Sequence, residues 1–385
     1  MIIAVLRETA VGERRVALVP DGVKALVRAG HEVCVQRGAG GEAGFDGGVY
    51  EAAGAKLVDS VETLLAPAEL VLKVQGPNSE ELRLLQPGSA LVALLRPLDE
   101  PERVRELAQR RLAAFSLELL PRITRAQSMD VLSSQATVAG YRAVIVAAEK
   151  LPKMFPMLVT AAGTISPARV FVIGAGVAGL QAVATARRLG AVVEAYDTRD
   201  AAAEQVESLG ARFVSFSVES ADAEDAGGYA KAQSEEFYAA QRAFMGERAA
   251  ASDIVITTAL VPGRRAPLLL DEAGVHGMKP GSVVVDLAAP NGGNCAFTEP
   301  GRDVLVNGVC VMGRANLASE LPADASQMFS KNVVTFVSHL TKEGSLVIDL
   351  EDEITRGSLI TREGEVLDER VREKLAASAL AGEGA

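Results

Sequence analysis

Residues 170–197, VFVIGAGVAGLQAVATARRLGAVVEAYD, constrain this chain more than any other stretch. An apolar run that suits a buried strand leads into Gly174, Ala175, Gly176, Val177, Ala178 and Gly179. A helix-forming run, a second apolar strand and, at its end, Asp197 follow. Each part suits a dinucleotide. Gly174 lets the chain turn sharply out of the strand, Gly176 lets backbone approach a pyrophosphate, and Gly179 lets the helix lie close on the sheet. A helix beginning near Val177 offers N–H groups and the positive end of its dipole to phosphates. Asp197, followed by Thr198 and Arg199, can accept hydrogen bonds from a ribose 2′-hydroxyl and would repel a 2′-phosphate. That favours NAD(H) over NADP(H). Glycine turns alone are common; strand, turn, helix and acid in this order supply the confirming context.

At 385 residues the chain is long enough for two domains with sizeable cores. With 49% hydrophobic and only 4% aromatic residues, and no Trp, those cores must be built from Val, Leu, Ala and Ile. A net charge of −11 argues against non-specific nucleic-acid binding, because no basic surplus exists to neutralise phosphates. Cys34, Cys295 and Cys310 are scattered, which fits a reducing compartment rather than a disulfide framework. His31, His276 and His339 lie far apart, so no metal site is expected. The opening MIIAVLRE reads as a first strand, not a signal peptide. No uninterrupted apolar run approaches the ~18 residues of a membrane span. The expectation is a cytoplasmic protein with no direct membrane insertion.

Along the chain, strand and helix alternate. Strands are expected at residues 2–6, 31–36, 70–74, 90–94 and 113–116, with helices at 20–29, from 49 and at 101–111. A long helix over 131–151 ends at Pro152. Beyond the fingerprint, strands are expected at 212–214, 254–257, 283–286, 304–306 and 309–312. A helix over 326–340 and a closing loop with a short hairpin complete the chain. The fold class is α/β: two domains, each a mostly parallel sheet flanked by helices, with a cleft between them. Residues 1–136 with 321–385 form a flavodoxin- or Rossmann-like domain that lacks a phosphate fingerprint. Residues 137–320 form the Rossmann dinucleotide-binding domain. Residues 217–248 are long for a connection and read as a lid or linker.

Seven segments also carry a resemblance: residues 122–144 (RITRAQSMDVLSSQATVAGYRAV), the fingerprint, GGYAKAQSEEF, TTALVPGRRAPLLL, MKPGSVVVDLA, NGGNC and LPADASQMFSKN. Together they are specific. The chain resembles the NAD(H)-binding component, domain I, of proton-translocating NAD(P) transhydrogenases, whose fold is shared with alanine dehydrogenases. Two departures separate these. Where an alanine dehydrogenase carries a catalytic His, after the strand at 91–95, this chain has Arg96; where an assisting acid follows VDLA, it has Pro290. Reductive amination needs a group that carries a proton near neutral pH, which neither residue can do. Arg15 and Lys73 resemble that enzyme's substrate-carboxylate binders.

The transhydrogenase resemblance implies hydride transfer between NADH bound here and NADP⁺ bound on a separate domain, with a membrane-spanning proton-channel subunit as a further partner. It also implies a homodimer held at the cytoplasmic face of the inner membrane. Such transfer needs positioners and exclusion of water rather than acid–base groups. The family's RQD loop maps onto Arg122, Gln127 and Asp130, with Ser133 one turn on. Arg122 offers a donor fork, Gln127 both donates and accepts, and Asp130 can accept from a carboxamide or orient Arg122. The alternative for this stretch is a solvated helix start capped by Thr124 or Ser128, with Arg125 an exposed charge. Tyr229 on Gly227–Gly228 resembles the tyrosine of the family's mobile loop. Thr258, Ala259 and Leu260 follow a strand C-terminus, where open α/β sheets bind ligands.

Overall fold

The computed structural model describes residues 1–216, 235–261 and 263–382, which fall into two units: Met1–Gln135 with Ala318–Ala385, and Ala136–Leu317. The first is built on eight strands in the order Glu365–Val366, Leu359–Arg362, Ala113–Ser116, Ala90–Leu94, Leu70–Gln75, Ile2–Val5, Glu32–Gln36 and Lys56–Val58. The six from Lys56–Val58 to Ala113–Ser116 are parallel, and the last hairpin of the chain adds antiparallel to Ala113–Ser116. Alternation explains the apolar runs. Ile3 and Val5 face one core with Leu72, Val92 and Phe115, while Ala4 and Leu6 face another with Val71 and Leu91. A strand covered on both faces has no polar side to show. On the first face the helix Pro322–Leu340 sets Phe336 edge-on to Phe115, with ring centroids 5.7 Å apart.

The second unit carries seven strands in the order Arg212–Phe213, Val192–Tyr196, Arg169–Ile173, Ile254–Thr257, Val283–Asp286, Val309–Met312 and Asp303–Val306, parallel except the last. The first strand in sequence lies inside the sheet, so strand order reverses between Arg169–Ile173 and Ile254–Thr257. That reversal opens a crevice at the strands' C-terminal ends. Val170 and Val172 face one core, Phe171 and Ile173 the other.

Some elements differ from the sequence expectations. The edge strand Lys56–Val58 and the helices Val61–Leu65 and Ser79–Leu84 are too short for a periodic signal; their side-chain caps, Ser60 and Asn78, hold the two helices. Residues before the final hairpin form the helix Glu353–Ser358, capped by Asp352. The C-terminal half of the stretch read as lid or linker is the helix Glu235–Ala250. Its Met245 and Ala249 are buried, and Gln241 donates to the Tyr196 hydroxyl at 2.8 Å. That half is a sheet-covering crossover; residues 217–234, including Gly227, Gly228 and Tyr229, lie outside the described residues. The helix Val131–Lys150 is long and apolar enough to cross a membrane, with 44% of that window buried in the fold. A Cβ at its Gly140 would collide with the Ala178 carbonyl oxygen, so two helices meet there backbone to backbone.

Candidate functional site

In the second unit, the three sequence segments expected to hold nucleotide converge on the reversal point. The segment from Gly174 to Gly179 leaves the strand Arg169–Ile173, Asp197 ends Val192–Tyr196, and Thr258 follows Ile254–Thr257. Gly174 lies at φ +100°, and a Cβ there would stand 2.5 Å from Thr258 Oγ1. A Cβ on Gly179 would collide with the Gly174 carbonyl oxygen, which is how closely the helix Val177–Arg188 starts against the turn. Gly176 is different. It is exposed, and nothing lies within 4 Å of where its Cβ would be. Its neighbour Val177 is 43% exposed, and the helix N-terminus receives no side-chain cap. Uncapped N–H groups beside an open glycine fit a pyrophosphate.

Asp197 is tied into this turn. Its carboxylate accepts the Ala175 N–H at 2.7 Å, the Arg199 N–H at 2.9 Å, and the Arg199 guanidinium through Nε at 2.9 Å and Nη2 at 3.1 Å. Burial alone would raise its pKa, but the Arg199 side chain and the two N–H groups outweigh it and hold the carboxyl below its ordinary value. Asp197 is thus ionised and directed at the glycine turn. Thr198 is exposed beside it.

Thr258 donates its N–H to the Ile173 carbonyl at 2.9 Å and its hydroxyl to the Gly174 carbonyl at 3.0 Å, closing the second wall of the crevice. Ala259 is half-buried and Leu260 exposed; Pro262 lies outside the described residues. What fixes this loop was not read from the sequence. Asn294, fully buried, accepts the Ala259 N–H at 3.0 Å and donates to the Ala259 and Pro267 carbonyls at 2.9 and 2.8 Å. Its own N–H goes to Asp286 at 2.7 Å, and that carboxylate also accepts from Ala288, Cys295 and Thr298. The signal was an acid ending an otherwise apolar strand, since a buried charge must find several donors.

The remaining expected residues sit on the first unit. Arg122 and Gln127 are exposed on the 3₁₀ turn Thr124–Met129 and the residues before it. Asp130 accepts the Ser133 N–H at 2.9 Å and the Ser133 hydroxyl at 2.6 Å. The cap of the helix Val131–Lys150 is therefore Asp130, not Thr124 or Ser128. Arg125 is no idle charge: Nη2 lies 3.1 Å from Asp352.

In the same unit, the equivalent reversal point is plugged from within. Glu8 accepts the Val74 N–H at 2.6 Å and the Gln75 N–H at 3.3 Å, and burial pushes its pKa up to about 7. Lys73, almost wholly buried, pairs with Glu81 at 3.1 Å and Glu8 at 3.6 Å. Arg15, equally buried, grips Glu13 through Nε at 2.7 Å and Nη2 at 2.6 Å and reaches Gln135 at 2.8 Å. The 620 Å³ cavity beside them is walled by Glu8, Glu13 and Glu81 rather than by the cations. Arg96 stands at φ +48° and is paired with Asp99 and Glu100.

A doubly wound sheet with a glycine-lined turn, an uncapped helix N-terminus and an ionised acid at the next strand's end defines a dinucleotide-binding α/β protein. Residues 4–139 match the family model for the N-terminal domain of alanine dehydrogenase/PNT, and residues 143–369 match that for its C-terminal domain. The chain belongs to the alanine dehydrogenase/PNT family, a nicotinamide-nucleotide-linked family, and within it sides with the transhydrogenase alpha subunits. The first portion of the split NAD(P) transhydrogenase subunit alpha of Rhodospirillum rubrum is 47% identical over 95% of this chain and 98% of that protein. Alanine dehydrogenase of Halomonas elongata is 33% identical over 89% and 88%. The crystal structure of transhydrogenase from Sinorhizobium meliloti superposes with a TM-score of 0.85 at 43% identity, covering 95% of this chain and all of that one.

Proposed function

We propose that the chain is the NAD(H)-binding component of a proton-translocating transhydrogenase. On this reading it passes hydride directly between NADH and an NADP⁺ held on a partner domain. The observation that carries the nucleotide reading is the pairing of an open Gly176 with an ionised Asp197 on one side of the same turn. The N–H groups after Gly176 take the pyrophosphate, Asp197 takes the adenosine ribose hydroxyls, and Thr258 to Leu260 form the opposite wall. A bound dihydronicotinamide supplies the hydride. Arg122, Gln127 and Asp130 hold its carboxamide and ribose, and no side chain has to exchange a proton. Tyr229 serves as a lid residue. The NADP(H)-binding domain and a membrane-spanning proton-channel subunit are the partners, the chain works as a homodimer, and it sits at the cytoplasmic face of the membrane through them.

An amino-acid dehydrogenase is the weaker reading. Arg15 and Lys73, which would have to hold a substrate carboxylate, are neutralised by Glu13, Glu81 and Glu8, and Arg96 cannot serve as a proton carrier. Stopped-flow absorbance with NADH and a spectrally shifted NADP⁺ analogue separates the two. Transfer that requires an added NADP(H)-binding transhydrogenase domain supports the proposal. NADH oxidation by pyruvate and ammonium with the chain alone rejects it.

A further inference from the structure

Gln127 is flanked by two anchors. Two residues before it, Arg125 reaches Asp352 at 3.1 Å; one residue after it, the Ser128 carbonyl accepts Nδ2 of Asn332 at 2.8 Å. Both anchors come from the far end of the chain, Asn332 from the helix Pro322–Leu340 and Asp352 from the cap of Glu353–Ser358. Asp352 is itself held by the N–H groups of Ile354 and Thr355 and by His339 Nε2 at 2.9 Å. Ala126 and Met129 are buried beneath the turn, so its underside is fixed while Gln127 points outward.

The Asn332 side chain is poorly served by this arrangement. Its residue is 9% exposed, and its Oδ1 is buried with no hydrogen-bond partner among the described residues. A buried acceptor without a donor costs about 1–3 kcal/mol. Leucine would fill nearly the same volume without that cost. An asparagine that weakens the fold and spends its only bond on Ser128 is explained by what the bond does to the turn.

We infer that Asn332 is a positioning residue: by holding the Ser128 carbonyl it sets the backbone from which Gln127 reaches the nicotinamide ring. The inference rests on the role given to Gln127 above. Asn332 touches neither nucleotide nor reacting atoms. Its effect appears in the transfer step, where a small misplacement costs rate, and leaves NADH affinity unchanged.

The test measures NADH affinity, thermal stability and transfer rate to an NADP⁺ analogue on the partner domain. The full chain is compared with Asn332→Ala, Asn332→Leu, Gln127→Ala and the Gln127→Ala/Asn332→Leu double variant. Asn332→Leu is expected to melt no lower than the parent yet to transfer roughly ten- to a hundredfold more slowly at unchanged NADH affinity. In the Gln127→Ala background it should cost nothing further, because both variants remove the same contact. Asn332→Ala separates the lost bond from lost packing, since only it should lower the melting temperature. A parental transfer rate in Asn332→Leu, or losses that add in full in the double variant, overturns the inference alone. A parental rate in Gln127→Ala removes the role of Gln127 and the inference with it.

Discussion

Arg199 grips Asp197 from two directions, its own N–H and its Nε meeting Oδ1 at 2.9 Å and its Nη2 meeting Oδ2 at 3.1 Å. The carboxylate proposed to read a ribose is therefore engaged by the neighbour that a ribose must displace. Asp197→Ala removes the ribose acceptor and releases Arg199 from Asp197 at the spot where a 2′-phosphate would lie. NADH binding should weaken by roughly tenfold or more, in line with loss of a charged hydrogen bond, while NADPH binding should improve. Titration of both nucleotides by fluorescence checks it; unchanged selectivity would contradict the assignment of Asp197.

The glycines of the turn divide by what surrounds them. Gly179→Ala places a Cβ against the Gly174 carbonyl and should destabilise the second unit by a few kcal/mol. Gly176→Ala meets only open space, so the fold should melt as the parent does. Nucleotide binding should nonetheless fall, because the added methyl sits where the pyrophosphate approaches. Melting curves with and without NADH separate the two; Gly176→Ala with parental affinity would argue against a pyrophosphate there.

Gln127→Asn shortens the reach of the carboxamide by one methylene without changing its chemistry. The hydride-transfer rate should fall by about tenfold or more, while NADH affinity stays within about twofold of the parent. Single-turnover transfer beside equilibrium binding decides it, and parallel losses in both would refute a positioning role.

The buried pair Arg15–Glu13 gives a pH signature. Burial alone would raise the Glu13 pKa, but the Arg15 hydrogen bonds and charge bring it from 4.5 to about 2. A carboxyl bound more weakly by protons when folded contributes stability that is complete above its unfolded pKa. That contribution is lost as pH falls from about 4.5 toward 2. Glu13→Gln should cost about 3–5 kcal/mol at neutral pH by leaving Arg15 buried beside a neutral partner. Its stability should also decline less steeply over that acid window. Urea unfolding across pH 2–7 measures both, and parallel acid limbs for parent and variant would place the stabilisation elsewhere.

The fingerprint was legible because its demands are local: Gly174 must adopt φ > 0, Gly179 must clear a carbonyl, and an acid must end the next strand. The parallel strands were legible for a related reason, since runs such as residues 283–285 are apolar on both faces only where both faces are covered. What escaped was set by partners distant in sequence. Gly140 is required by Ala178, Asn294 by the Ala259 loop, and Glu8 by two N–H groups more than sixty residues away. No spacing announces such pairings. Asp130 was read as a ligand-binding acid, while in the fold its carboxylate also caps a helix through Ser133. The two roles coincide on one side chain, and propensity reports only the second.

The central claim is direct hydride transfer, and isotope retention tests it most closely. NADH carrying deuterium at both C4 positions is mixed in ordinary water with the full chain, the NADP(H)-binding domain and NADP⁺, and the reduced product is examined by mass spectrometry. The account predicts one deuterium in every NADPH molecule formed, because hydride passes between rings without meeting solvent. NADPH formed without the label, or no NADPH with both proteins present, would contradict it.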